Sequence, residues 1–281
     1  MENKDRFGIR YSIFDPTGNI TALVEGDVPL GDRTSVAARI MAIHSEIEQV
    51  GFVRITPESS DVQAELQMAG GEFCGNASMC TAGLLLLSEL WTDAKIPLKL
   101  RVSGASEPVF LSVYRADTDQ FTASILMPPV KGIEEHEFSL NDMTDKLPLV
   151  RMGGISHIII EPNSRFFSLK NSPEKAEQAV KTWCGMLSVE CLGLMFLDRD
   201  EKVSNLTPLV YVPVCQTLFW EKSCASGSAA VGAYLANRSC ETLDITLNEP
   251  GGSLRVEVCP DRKEVRMYET IRCIGRDLAL P

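Results

Sequence analysis

Twice in this chain a cysteine followed by small residues opens directly onto an apolar run. The first case is "GGEFCGNASMC", Gly70 to Cys80, which leads into "LLLL"; the second is "WEKSCASGSAAVGAYLA", Trp220 to Ala236. A structural cysteine belongs inside an apolar segment, yet Cys74 and Cys224 stand at the entrances to theirs. Both runs are expected to be buried helices, each approached by a turn that carries a glutamate, Glu72 or Glu221. Each half of the chain therefore offers a strand, a turn with Glu, a cysteine and a buried helix. Outside these segments the halves share little sequence, so a duplication is inferred from the order of parts.

The remaining pattern is mostly strand. "IRYSIFD", "ITALVEG", "VGFVRI", "PLKLRVSG", "PVFLSVYRA" and "FTASILMPP" are rich in β-branched and aromatic residues. A helix is expected over 35–47, where Val36, Ile40, Ile43 and Ile47 recur at helical spacing. Pro128–Pro129 and the polar run "KGIEEHEFSLNDMTDK" mark a boundary, after which "HIIIEP", "LGLMFLD", "LTPLVYVPV" and "GGSLRVEVC" again suggest strands. "SPEKAEQAVKTWCGML" suggests a helix. The expected division is 1–130 carrying Cys74, 131–265 carrying Cys224, and 266–281 as a final strand returning to the first domain.

Composition excludes several classes. The net charge is −11, with no basic cluster, which disfavours nucleic acid and anionic membranes as partners. "GLLLLSELW" is too short to span a bilayer, and "MENKDRFGIRYSIFD" lacks a leader's apolar core, so a cytoplasmic location is expected. There the nine cysteines would stay reduced. No pair has C-x-x-C spacing, and His44, His136 and His157 are too few for a histidine-rich metal site. Neither a metal nor another cofactor is expected.

A cysteine at a helix N-terminus meets the positive end of the dipole and unpaired N–H groups, both of which favour thiolate. Gly75, Asn76 and Ala77, then Ala225, Ser226 and Gly227, keep the backbone approachable to a carboxylate. Two such termini facing each other would hold one carboxylate between two thiols. That arrangement suits removal of an α-proton from one face and its return on the other, that is, racemisation or epimerisation.

"FCGNASMC" and "EKSCASGSAAVG", with "DPTGN" before them and "PGGSLRVEV" after, resemble the diaminopimelate epimerase superfamily over nearly the whole chain. The resemblance implies an α/β (α+β) fold of two pseudo-symmetric domains, each a curved, mostly antiparallel sheet around a central helix. The site would lie between the domains and use no pyridoxal phosphate. It implies Cys74 and Cys224 as the acid–base pair, with the amides of Gly75, Asn76, Ala225 and Ser226 holding the α-carboxylate. It also implies Asn19 and Gln67 as substrate contacts. Diaminopimelate epimerases grip the far end of their substrate with two asparagines and a Glu-Arg pair. Here Gly154, Cys191, Cys215 and Gln216 stand at those positions, and a charged far end would go unpaired.

"EQVGF", "GGEFCGN", "LVYVP", "LFWEKSCASGSAA" and "EPGGSL" look most like the cofactor-independent histidine racemases of metallophore biosynthesis. Those would place Glu48 and Glu221 against the substrate, where a carboxylate can accept from an imidazole or ammonium N–H. The other open readings are a racemase of another amino acid, diaminopimelate included, an amino-acid-binding protein, and a thiol-redox protein. Phenazine-pathway isomerases use an acidic residue in place of two thiols, and proline racemases have histidine after their first "CG". The remaining cysteines read as structural, His157 as a satisfied sheet residue, and Trp220 as pocket lining or packing. A monomer and a homodimer both remain open.

Overall fold

The computed structural model describes residues 8–91, 97–200 and 203–280. The first seven residues, read above for a leader, lie outside this range. The first half contains strands β1 (Arg10–Pro16), β2 (Thr21–Glu25), β3 (Gln49–Ile55), β4 (Ala64–Met68), β5 (Leu98–Val102), β6 (Val109–Arg115) and β7 (Gln120–Leu126). Its helices are α1 (Arg33–Ile43) and α2 (Gly75–Leu87). The second half contains β8 (Gly132–Leu140), β9 (Met143–Arg151), β10 (Ser156–Ile160), β11 (Leu192–Arg199), β12 (Ser204–Val212), β13 (Thr217–Trp220), β14 (Leu243–Glu249) and β15 (Gly252–Cys259). Its helices are α3 (Pro173–Leu187) and α4 (Ala225–Ser239), and β16 (Glu264–Ala279) ends the chain.

The halves repeat one plan. In the first, β2 and β3 are parallel and joined by α1, and β4 and β5 are parallel and joined through α2. In the second, β10 and β11 are parallel and joined by α3, while β12 and β14 are parallel and joined through β13 and α4. All other neighbouring strands run antiparallel. β1 to β7 follow one another and β16 closes the ring back onto β1, enclosing α2. On its other side β16 continues through β15, β14, β12, β11, β10 and β9 to β8, an arc around α4. The fold is thus α/β and pseudo-symmetric, with a curved sheet around a central helix in each half.

The reason for this wrapping lies in α2 and α4. All but one residue of α2 is buried, as is α4 from Ala225 to Ala236, so neither helix has a face to give to water. The hydroxyls of α2 are satisfied locally: Thr81 Oγ1 donates to the Ala77 carbonyl (2.8 Å) and Ser78 Oγ to that of Cys74 (2.7 Å). α1 and α3 cover the outer faces of the sheets with separate cores, one built on Ile40 and Phe52, the other on Trp183 and Phe166. Among the described residues no helix is long and apolar enough to cross a membrane.

Two local expectations are corrected. The helix expected over 35–47 ends at Ile43, which is 50% exposed, and Ile47 is buried from the following turn. Helical spacing survived by coincidence because a turn also returns the chain to the core. The polar run that marked the expected boundary forms the β8–β9 hairpin, whose outward positions carry the charges and whose inward Phe138 and Leu140 are buried. His157 is fully buried with neither ring nitrogen bonded, so desolvation lowers its pKa to about 3 and keeps it neutral.

Candidate active site

The two cysteines occupy the same position in their helices. Cys74 is the N-cap of α2, in extended backbone conformation (φ −128°, ψ 111°), and its Sγ accepts the Ala77 N–H at 3.4 Å. Cys224 is the N-cap of α4 (φ −139°, ψ 97°), and its Sγ accepts the Gly227 N–H at 3.4 Å. Sulfur here does what a serine or aspartate oxygen does at other caps.

The helix starts meet end to end. A Cβ on Gly75 would lie 2.9 Å from the Cβ of Ala225, so glycine is what lets the termini approach. Asn76 ties them: its Oδ1 accepts the Ala225 N–H (3.0 Å), and its Nδ2 donates to Ser223 Oγ (3.1 Å). Ser223 Oγ in turn donates to the Pro16 carbonyl (2.9 Å). The buried Glu249 accepts the Cys224 N–H (2.7 Å) and the Ser228 hydroxyl. The Ala225 amide is therefore already engaged, contrary to its expected availability for a carboxylate. Gly75, Asn76 and Ser226, in the first helical turns, have N–H groups without intrahelical partners.

Between the termini lies a cavity of about 20 Å³, room for roughly one water. Cys74, Cys224, Asn19, Gly75, Asn76, Glu221, Ala225 and Ser226 line it, and so do Gln49, Glu72, Phe73, Ile155, Val210 and Val212. Of the residues singled out in the sequence, Glu48 and Gln67 stand outside this lining. Glu48 adjoins it, accepting from Asn19 Nδ2 at 2.9 Å, and lines a second cavity of about 120 Å³. Gln67 alternates with the inward-facing Leu66 and Met68 of β4 and reaches neither cavity. Trp220 stacks on Phe196 (centroids 5.8 Å apart) away from both cavities.

Sequence reasoning missed Gln49, Ser223 and Glu249. Gln49 lines both cavities and donates from Nε2 to Glu221 Oε1 at 2.9 Å. It follows Glu48 in the quoted "EQVGF", but pairing with a residue so far along the chain leaves no local mark. Ser223 and Glu249 likewise sit inside quoted motifs, and their partners belong to distant elements.

The electrostatics are acidic. Burial pushes Glu221 up to about 8; the Cys224 thiol and Gln49 amide partly offset this, while Glu48 and Glu72 reinforce it. Burial also raises Glu48, against the opposing pull of Asn19 and Lys222. Both thiols are raised as well, primarily by desolvation, with Glu221 adding to each. Cys74 is half-buried and lines the cavity. The expectation of ready thiolates is thus overturned, because one N–H bond and a helix dipole do not offset burial among carboxylates. Among the described residues no three His, Cys, Asp or Glu side chains are disposed to hold a metal ion.

Known proteins share the architecture. A hydroxyproline epimerase from Agrobacterium vitis superposes with a TM-score of 0.68 at 16% identity, covering 96% of this chain and 89% of its own. A predicted epimerase from Pseudomonas aeruginosa does so with a TM-score of 0.68 at 15% identity, covering 97% and 99%. These likenesses define the fold class. A family model described as "Histidine racemase CntK N-terminal domain" matches residues 8–272. A histidine racemase of Staphylococcus aureus is 30% identical over 252 residues, 88% of each chain, and one of Fusobacterium nucleatum 34% over 229 residues, 79% of each. The chain belongs to the histidine racemase family.

Proposed function

We propose that this protein interconverts L- and D-histidine by proton transfer between two cysteines, without a cofactor. The observation that carries the reading is that Cys74 and Cys224 cap two abutting helices and line one small cavity. The α-carboxylate would accept from the free amides of Gly75, Asn76 and Ser226 at the positive helix ends. Glu221 would accept from the α-ammonium and take up the Cys224 proton as the substrate binds. The Cys224 thiolate then removes the α-hydrogen as a proton from one face, and the electron pair delocalises into the carboxylate held by the amides. Cys74 returns a proton from its S–H to the other face. The enzyme is left with Cys224 protonated and Cys74 ionised, ready for the reverse direction. Zwitterion binding brings a cation into an acidic, buried site, which favours the thiolate that burial among carboxyls otherwise disfavours.

Proton NMR of L-histidine with the protein in D2O under reducing conditions, with chiral analysis, tests this. The α-proton signal should disappear as D-histidine forms, and Cys74→Ser or Cys224→Ser should slow exchange by about 10²–10⁴-fold. Exchange that persists undiminished in both variants would remove the two-thiol mechanism. Exchange on another amino acid but not on histidine would remove the substrate.

A further inference from the structure

The 20 Å³ cavity between the cysteines has space for reacting atoms but not for a side chain. A second cavity, of about 120 Å³, lies beside it, and Gln49 and Glu72 line both. An engineered cavity of about 150 Å³ is known to take up a benzene ring, so the second void is on the scale of one small ring. Its roof is one side of α1: Thr34, Ala37, Ala38 and Met41 recur at i, i+3, i+4 and i+7. Apolar walls alone would suit any apolar side chain.

The polar groups narrow the choice. Glu72 is 8% exposed, and its Oε2 has no hydrogen-bond partner. That oxygen lies over Gly70, where an added Cβ would meet it at 2.5 Å, and Gly70 and Cys215 line the second cavity. Buried acceptors in native proteins are almost always bonded, and one left bare is costly. Glu48 brings a second carboxyl to the same cavity. Two acceptors and no fixed cation among the lining residues describe a receptor for an N–H-bearing ring.

We propose that this second cavity receives the substrate's side chain, and that Glu72 Oε2 is the acceptor selecting a planar ring with N–H donors over an apolar one. The inference rests on the racemase reading for its orientation of the substrate. Glu72 on this view is a specificity residue: it touches the side chain and takes no part in the proton transfer. With no partner of its own in the protein, Oε2 penalises a substrate that cannot donate to it.

The test uses the full-length protein and two readouts. Saturation-transfer NMR reports whether free imidazole binds, independently of turnover, and initial rates with L-histidine give KM and kcat. Two variants are compared, Glu72→Gln and Ala38→Trp, the latter filling the void from an exposed position on α1. Imidazole should bind the wild type and compete with histidine, and each variant should weaken that binding and raise KM for histidine at least 10-fold. The larger share of the lost efficiency should fall on KM. Failure of the wild type to bind imidazole, or KM unmoved in both variants, would overturn the subsite. If imidazole binds and both variants abolish that binding while histidine is never racemised, the subsite stands and the racemase reading falls.

Discussion

At the level of single residues, the proposed mechanism turns on a proton shared between Cys224 and Glu221. Burial holds the Glu221 carboxyl near 8, so it ionises, and can accept a proton, only as the pH rises through that value. The kcat/KM profile should accordingly rise with a midpoint near pH 8. Glu221→Gln should lower kcat/KM by about 10²–10⁴-fold and abolish that limb, since the amide has no proton to lose. A wild-type profile flat from pH 6 to 9 would separate Glu221 from the proton path. Cys74, Cys224, Asn19, Glu48 and Glu221 could all be picked from short motifs, because each sits beside a glycine, a cap or a turn that marks the chain. Gln49 and Ser223 could not: what distinguishes them is a hydrogen bond to a partner on another element.

At the level of elements, the decisive contact is between the first turns of α2 and α4. Asn76 spends both ends of its amide on holding Ala225 and Ser223, and Gly75 leaves no room for a methyl group against Ala225. Gly75→Ala should push the two termini apart by a fraction of an ångström, separating the cysteines from the substrate they share. The expected result is a loss in kcat of about 10²-fold, with circular dichroism and the unfolding midpoint close to wild type. Activity at wild-type level would show that the helix starts can part without consequence. The same contact explains why "C-G-N-A" and "C-A-S-G" carry small residues, which sequence patterning registers only as a preference for small size. Hydrophobic runs located both central helices correctly. The end of α1 was misjudged because Ile43 and Ile47 match a helical period while lying on a helix and a turn.

For the whole molecule, the burial of acidic groups should show in its stability. Glu221 and Glu269 are both buried, with carboxyls near 8 against 4.5 for the free side chain. Desolvation is the chief cause in each, and Asp15 adds to it for Glu269. A raised folded pKa means that the contribution is fully present below the unfolded value and is lost as pH rises through the folded one. Stability should therefore fall between about pH 5 and pH 8 on this account. Glu269→Gln, on the strand shared by both halves, should flatten part of that slope and raise the unfolding free energy at pH 8. Denaturant titrations at pH 5 and pH 8 would check it, and an unchanged slope in the variant would remove Glu269 from the pH response.

The sequence alone determined the secondary structure around the two cysteines, the doubling of the plan and the class of chemistry, because helix caps, apolar runs and small residues are local properties written in consecutive letters. Only the tertiary structure decided that Asn76 bridges the helices, that Gln67 faces away, that Glu72 carries a bare oxygen beside a ring-sized void, and that burial raises both thiols. Each of these depends on which distant groups share a volume from which water has been removed. Charge, hydrogen bonding and burial there are set by neighbours in space, and a linear chain does not list them.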